Sequence, residues 1–137
     1  MYTFLFMAHS GWRWIVLILL VITAIKVLVG WLGKQNWSNL DMSLVRFTHL
    51  AVAIQVLLGI ILYISALFGD RADLASGRFI GEHIIPALLT YGAVLFAMIR
   101  SRRLTDSNQK FQAASIGLVA AIILVSVALV TVDGFFA

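Results

Sequence analysis

Trp14-Ile15-Val16-Leu17-Ile18-Leu19-Leu20-Val21-Ile22-Thr23-Ala24-Ile25 decides what kind of chain this is. Read as a helix, the run is apolar on every side, so it has no single stripe to turn toward a small core and must be wrapped by other helices or by lipid. Runs of this kind recur along the 137 residues, which are 62% hydrophobic and only 12% charged, with a mean hydropathy of +1.03. Each fills roughly 20 residues, the length a helix needs to cross about 30 Å of hydrocarbon. The composition excludes an ordinary soluble domain and implies an integral membrane protein.

Working outward from that run, the first helix is expected over about 4–32, longer than one crossing requires, so its first turns sit at the interface. Tyr2, Trp12 and Trp14 at one end and Trp31 and Trp37 at the other are placed like two aromatic belts. The run lacks a basic leader and an A-x-A type cleavage site and reads as a retained helix. A polar turn, 33–41, offers Ser38, Asn39 or Asp41 as a cap for a second helix over about 42–68. A second polar connection, 69–78, leads to a third helix over about 79–100. Pro86 lies inside it and removes the hydrogen bond to the carbonyl of Glu82, which predicts a kink beside His83. After Thr105-Asp106-Ser107 a fourth helix is expected over about 110–132, with a short tail. The expected fold is all-α: a four-transmembrane-helix bundle forming a single membrane domain, 1–137, with both termini on the same side.

Call that side A and the other side B. Side B holds Lys34, Arg46, Arg100, Arg102, Arg103 and Lys110 against Asp41 and Asp106; side A holds Arg13, Arg71 and Arg78 against Asp70, Asp73, Glu82 and Asp133. Basic residues collect on the cytoplasmic face of membrane proteins, so side B is read as cytoplasmic and both termini as outer, periplasmic or extracellular. The net charge of +4 is on this reading a topology signal; the basic residues flank apolar spans instead of interleaving with aromatics as in a nucleic-acid face. No internal repeat is convincing: Phe6-x-x-His9 and Phe79-x-x-x-His83 differ by one residue.

The polar residues within the spans carry whatever chemistry the chain has. His9 and His83 head the first and third helices, which start on the same side, so the helical rise puts both imidazoles at similar depth. Such a pair can hold a haem b between facing helices. Arg13, on the face of His9, and Arg78, one turn before Glu82, are candidates to neutralise its propionates. The same residues are also ordinary at a headgroup boundary, with Arg78 and Glu82 an i, i+4 ion pair. His49 lies roughly 10 Å inside side B by helical rise, where an ionisable group is costly, and is an alternative ligand or the edge of a quinone or lipid pocket. A bond to Tyr91 or Ser115 would equally satisfy it. Lys26, Gly92 and Gly117 lie near that depth, the lysine able to snorkel toward side B and the glycines suited to close helix contact. Gln55 sits off the face of His49. Met7 and His9 offer a thin case for copper. With no cysteine there is no disulfide, thiolate site, iron–sulfur cluster or covalently attached haem, and no grouping suggests catalysis by protein side chains alone.

His9-Ser10-x-x-Arg13-Trp14, Gly30-Trp31, the run from Gln55 to Tyr63, Arg78-Phe79, Glu82-His83 and Ile99-Arg100-Ser101 together resemble a small bacterial family of four-helix membrane proteins labelled cytochrome-b-like. The resemblance covers nearly the whole chain. It implies a haem-b-type membrane cytochrome in a bacterial inner membrane, with His9 and His83 matching two family histidines. The chain departs from the pattern in helix two, where the family histidine should fall at Ala53 and this sequence has His49 instead. The reading carried forward is one-electron transfer through haem b held by His9 and His83, with His49 as the alternative ligand. Its rivals are a cofactor-free accessory subunit, packed by its small residues and lipid-facing helices against a larger membrane energy-transducing complex, and a quinone- or lipid-binding protein; the expected assembly is a larger membrane complex or a homo-oligomer.

Overall fold

A helix that is apolar all round can bury only the strip that meets its neighbours, and four such helices do so here. The computed structural model describes residues 2–69 and 71–136; the side chains of Tyr2, Ala72 and 132–136 lie outside that description, as does Asp70. Tyr2 as a belt residue and Asp70 and Asp133 as side-A charges therefore fall outside the described residues. The helices are α1 (Tyr2–Leu32), α2 (Asn39–Leu67), α3 (Gly77–Arg103) and α4 (Ser107–Phe136). All four are long and apolar enough to cross a membrane, and no strand occurs among the described residues. The chain is a multi-pass, four-helix, all-α membrane protein.

Local chemistry explains where the helices begin and end. Ser38 caps α2 in a capping box: its hydroxyl accepts from the Asp41 amide at 3.2 Å, and the Asp41 carboxylate accepts from the Ser38 amide at 2.9 Å. Ser76 caps α3 by accepting from the Phe79 amide, and the Asp106 carboxylate accepts from the Gln109 amide at the head of α4. Helix α4 starts one turn earlier and ends one turn later than its hydropathy suggested, with Gly134 inside it. Helix α1 ends in a Schellman motif: the Gln35 amide donates to the Gly30 carbonyl at 2.9 Å and the Lys34 amide to that of Trp31 at 3.2 Å. The left-handed residue that this requires is Lys34, at φ 50°, although Gly33 stands beside it.

Each helix packs on the next and α4 closes on α1, so α1 lies diagonal to α3 and α2 to α4. Leu20, Val27, Val45, Val94, Phe111 and Leu118 fill the interior, and Ala24, Ala51, Ala97, Ala114 and Ala121 let the backbones approach. A Cβ on Gly117 would meet the Ala93 carbonyl oxygen and the Ala97 Cβ, each at 2.7 Å, and one on Gly30 would collide with the Phe111 ring. Gly117 is thus a crossing point of α3 and α4, whereas Gly92 faces open space. Ile18, Ile25, Leu57, Leu89, Ile116 and Ile123 remain on the outside, as lipid-facing residues should.

Inside an apolar medium polar groups must pair with one another. Thr23 and Thr48 do so hydroxyl to hydroxyl at 2.8 Å, both fully buried, and Trp12 donates its indole N–H to the Ala51 carbonyl at 2.9 Å. Trp12 is therefore a bolt between α1 and α2, and Trp31 and Trp37 pack against the core, which leaves Trp14, largely exposed, as the described tryptophan with the setting of a belt residue. Lys26 does reach toward side B, where its ammonium lies 2.5 Å from the carboxylate of Asp41, itself buried. The capping carboxylate of α2 is thus also the counter-ion of the one lysine within α1.

Candidate functional site

His9 and His83 come from diagonal helices and line the same cavity, about 460 Å³, to which all four helices and the turn before α3 contribute. Its polar wall is His9, Ser10, Arg13, Gln55, Tyr63 and His83; the remainder is almost wholly aliphatic and aromatic.

The position of His83 rests on a change of helical register. Residues Ile80–Ile84 form a π turn, in which the Ile85 amide donates to the Ile80 carbonyl, five residues back. Where the sequence led us to expect a kink at Pro86, the structure has this widened turn immediately before it. Pro86 brings no N–H for the carbonyl of Glu82, four residues back, and the hydroxyl of Thr131 on α4 donates to that carbonyl at 2.6 Å. One rung nearer the middle of α4, the Ala128 carbonyl accepts from His83 Nδ1 at 2.9 Å. A carbonyl only accepts, so Nδ1 carries the proton and Nε2 of His83 presents a bare lone pair. Phe79 packs at 5.3 Å on the His83 ring and stacks at 5.9 Å on Tyr63, whose hydroxyl donates to the Leu74 carbonyl. The short 3₁₀ turn Ala72–Ala75 thereby lays Leu74, buried, over one end of the cavity.

His9 is held differently. Gln55 on α2 donates its amide N–H to the His9 carbonyl at 3.0 Å, and the imidazole lies over Gly59, where a Cβ would stand 2.9 Å from Cε1. Nδ1 of His9 and Oε1 of Gln55 are buried with no hydrogen-bond partner. Arg13, one turn along α1, lines the cavity as well, with its guanidinium carbon 5.3 Å from the Trp14 ring centre.

The other residues expected at the site stand apart from it. Arg78 is largely exposed and donates to the Glu82 carboxylate at 3.2 Å, in the i, i+4 pairing that its spacing allowed, and it does not line the cavity. His49 lies away from the cavity as well; its Nε2 is 3.3 Å from the Tyr91 hydroxyl and the two rings are 5.3 Å apart. Met7 is exposed and does not join His9 in the cavity wall. No cluster of three or more histidine or carboxylate side chains suited to a metal ion occurs among the described residues.

Gln55 and Gly59 belong to the site and were not singled out as such from the sequence. Gln55 is visible in the sequence as a polar residue deep in an apolar span, but helical spacing relates it only to His49 on its own helix and not to His9 on the neighbouring one. Comparison of the chain with protein families, with curated proteins and with solved structures finds no match.

Proposed function

We propose that the protein is a membrane-embedded haem b protein for one-electron transfer, in which His9 and His83 would hold the haem. The observation that carries this reading is the pair of imidazoles on diagonal helices facing one apolar cavity, one of them with its tautomer already set for ligation through Nε2. The donor set suits the group: two neutral nitrogen ligands, an arginine in the wall for carboxylates, aliphatic surroundings, and a volume within the range of roughly 300–1,000 Å³ usual for small-molecule sites. Bound haem supplies a one-electron couple whose potential responds to its ligands, to nearby hydrogen bonds and to burial.

The chain's own residues have separable tasks. The Ala128 carbonyl orients His83, Gly59 leaves room for the ring of His9, Arg13 offers positive charge near the interface, and Leu74 with Phe79 restricts water at one end. No protein group here is assigned a catalytic step. On this reading the protein sits in a bacterial inner membrane with side B in the cytoplasm and both termini outside.

A reduced-minus-oxidised spectrum of the purified protein tests the assignment. The α-band is expected in the wild type and in His49→Ala, and is expected to vanish in His9→Ala and His83→Ala. Absence of the band after haem-retaining purification sinks the cytochrome reading. A band lost only in His49→Ala moves the ligands to the other side of the membrane.

A second reading draws on the outer surface. Trp12, Ile15, Leu19, Leu44, Phe47 and Leu50 flank an apolar groove between α1 and α2, a shape suited to packing against a larger membrane complex or another copy of the chain. A cofactor-free accessory subunit would co-purify in fixed ratio with such a complex and carry no chromophore.

A further inference from the structure

The two histidines of the cavity are not equivalent in what stands behind them. His83 has the Ala128 carbonyl on its Nδ1. His9 has nothing on its Nδ1, and beside it Gln55 has nothing on its Oε1, although both atoms are buried. Unpaired buried polar atoms are costly, and here one can donate and the other can only accept. The orientation of the Gln55 amide is not arbitrary: its nitrogen must face the His9 carbonyl, 3.0 Å away, because two oxygens there would repel, and this turns Oε1 to another side. The single bond from Gln55 to the His9 backbone already keeps the two orphaned atoms in one neighbourhood.

We infer that Gln55 is the positioning residue for His9. Its N–H holds the histidine's backbone, and its Oε1 accepts the Nδ1–H once Nε2 of His9 takes a ligand. A histidine that ligates through Nε2 keeps its proton on Nδ1, and the acceptor of that proton sets the tautomer, fixes the ring plane and raises the basicity of the ligating nitrogen. Ala128 does this for His83 through the backbone of α4. The backbone of Gln55 also lies beside the His9 imidazole, but the buried acceptor left without a partner of its own is the Gln55 amide oxygen, on a helix that packs directly against α1. Gly59 completes the arrangement, since without a Cβ against Cε1 and Nδ1 the ring has room to turn.

This inference rests on the haem reading, and its test separates the two. Haemin is titrated into the full-length protein in detergent, for the wild type, Gln55→Leu and Gln55→Glu, and the reduction potential of each complex is measured. The reduced bis-imidazole complex is diamagnetic, so NMR of isotope-labelled histidine reads the Nδ1–H of His9 directly. Gln55→Leu is expected to weaken haem binding roughly 10- to 100-fold, as second-shell changes do, to raise the potential and to abolish the slowly exchanging Nδ1–H signal. Gln55→Glu, which keeps an acceptor oxygen but sets a second oxygen against the His9 carbonyl, is expected to recover binding only in part and to lower the potential below that of the wild type. A purely structural role would reduce yield without moving potential or proton signal. Should Gln55→Leu fail to assemble, the glutamate variant decides alone: a potential and an Nδ1–H signal identical to the wild type overturn the inference while the haem reading stands. A wild type that binds no haem overturns both.

Discussion

At the scale of single residues, the side chain of His9 depends on an atom that is absent. A methyl group at position 59 would stand 2.9 Å from Cε1 of the imidazole, closer than such carbons come, so the ring and not the backbone must yield. Gly59→Ala is therefore expected to leave the bundle folded, because α2 gains a better helix former, and to displace His9 from the cavity. Haem titration, with circular dichroism as the control, checks this: weaker binding at unchanged helicity is the expected result, and wild-type binding would show that the ring has slack. Lys34 is the opposite case, a side chain where glycine is preferred. At φ 50° it bears the left-handed strain of the Schellman motif, about 1 kcal/mol for a residue with a Cβ. Lys34→Gly should thus raise thermal or denaturant stability in detergent by an amount of that order, and an unchanged midpoint would mean that the lysine side chain offsets the strain by other contacts.

At the scale of elements, the π turn before Pro86 is sustained from another helix. The Glu82 carbonyl has lost the amide that a non-proline residue at 86 would supply, and Thr131 on α4 takes that place at 2.6 Å. The Thr131 hydroxyl also lies 2.8 Å from the Val127 carbonyl, and the Glu82 carbonyl is only partly buried, so Thr131→Val should cost about 1 kcal/mol, and less in a Pro86→Ala background, where position 86 regains an N–H. A double-mutant cycle on unfolding measures the difference, and strict additivity would sever the proposed link. The turn over the cavity end has its own dependence. Asp73 accepts from the Arg71 guanidinium at 3.0 and 3.1 Å, which holds its carboxyl below its ordinary value. A folded value below the unfolded one means that the pair's support is present above the unfolded range and fades as pH falls through the folded value. Protection of the Leu74 amide, bonded to the Arg71 carbonyl, should accordingly drop in acid, and Asp73→Asn should remove that dependence. Much of this level is legible in the sequence: the four spans, Ser38 as one of three candidate caps, the shared depth of His9 and His83, and an irregularity at Pro86, expected as a kink and found as a π turn. What was not legible is which face of each helix turns inward. Helices apolar on all sides have no stripe to fix their rotation, so the meetings of Gln55 with His9, Trp12 with Ala51, His83 with Ala128 and Lys26 with Asp41 appear only once the four are packed. Sequence spacing brought His9 and His83 to one level and set His49 apart toward side B, but it left Arg78 in the set around the pair, because depth is readable from helical rise and rotation is not.

At the scale of the whole molecule, the bundle has a direction that its interior does not reveal and its surface charge does. The ends of α1 and α3 and the starts of α2 and α4 gather Lys34, Arg46, Arg100, Arg102 and Arg103, exposed, and Lys110, half-buried; the acidic groups at that end are Asp106 and Asp41, the latter already paired with Lys26. The opposite end has Arg71 paired with Asp73 and Arg78 with Glu82, while Arg13 lies near the Trp14 ring and in the cavity wall. Orientation in the membrane follows lysine and arginine in short loops near the helix ends, with acidic residues counting little, so the basic cluster matters more than the charge balance. On the orientation proposed above, the cavity with His9 and His83 lies toward the outer leaflet, the side from which a redox partner would have to meet it. The chain contains no cysteine, which makes the test clean. Ser76→Cys, at the exposed cap of α3, should react with a membrane-impermeant maleimide in intact cells, whereas Asn36→Cys and Asn108→Cys, at the basic end, should react only after lysis. The reverse pattern would turn the molecule over and bring the histidine cavity to the cytoplasmic side. Replacing Arg100, Arg102 and Arg103 together with glutamine should weaken the bias and yield a mixed labelling pattern, because Lys34, Arg46 and Lys110 remain to hold part of the population in place.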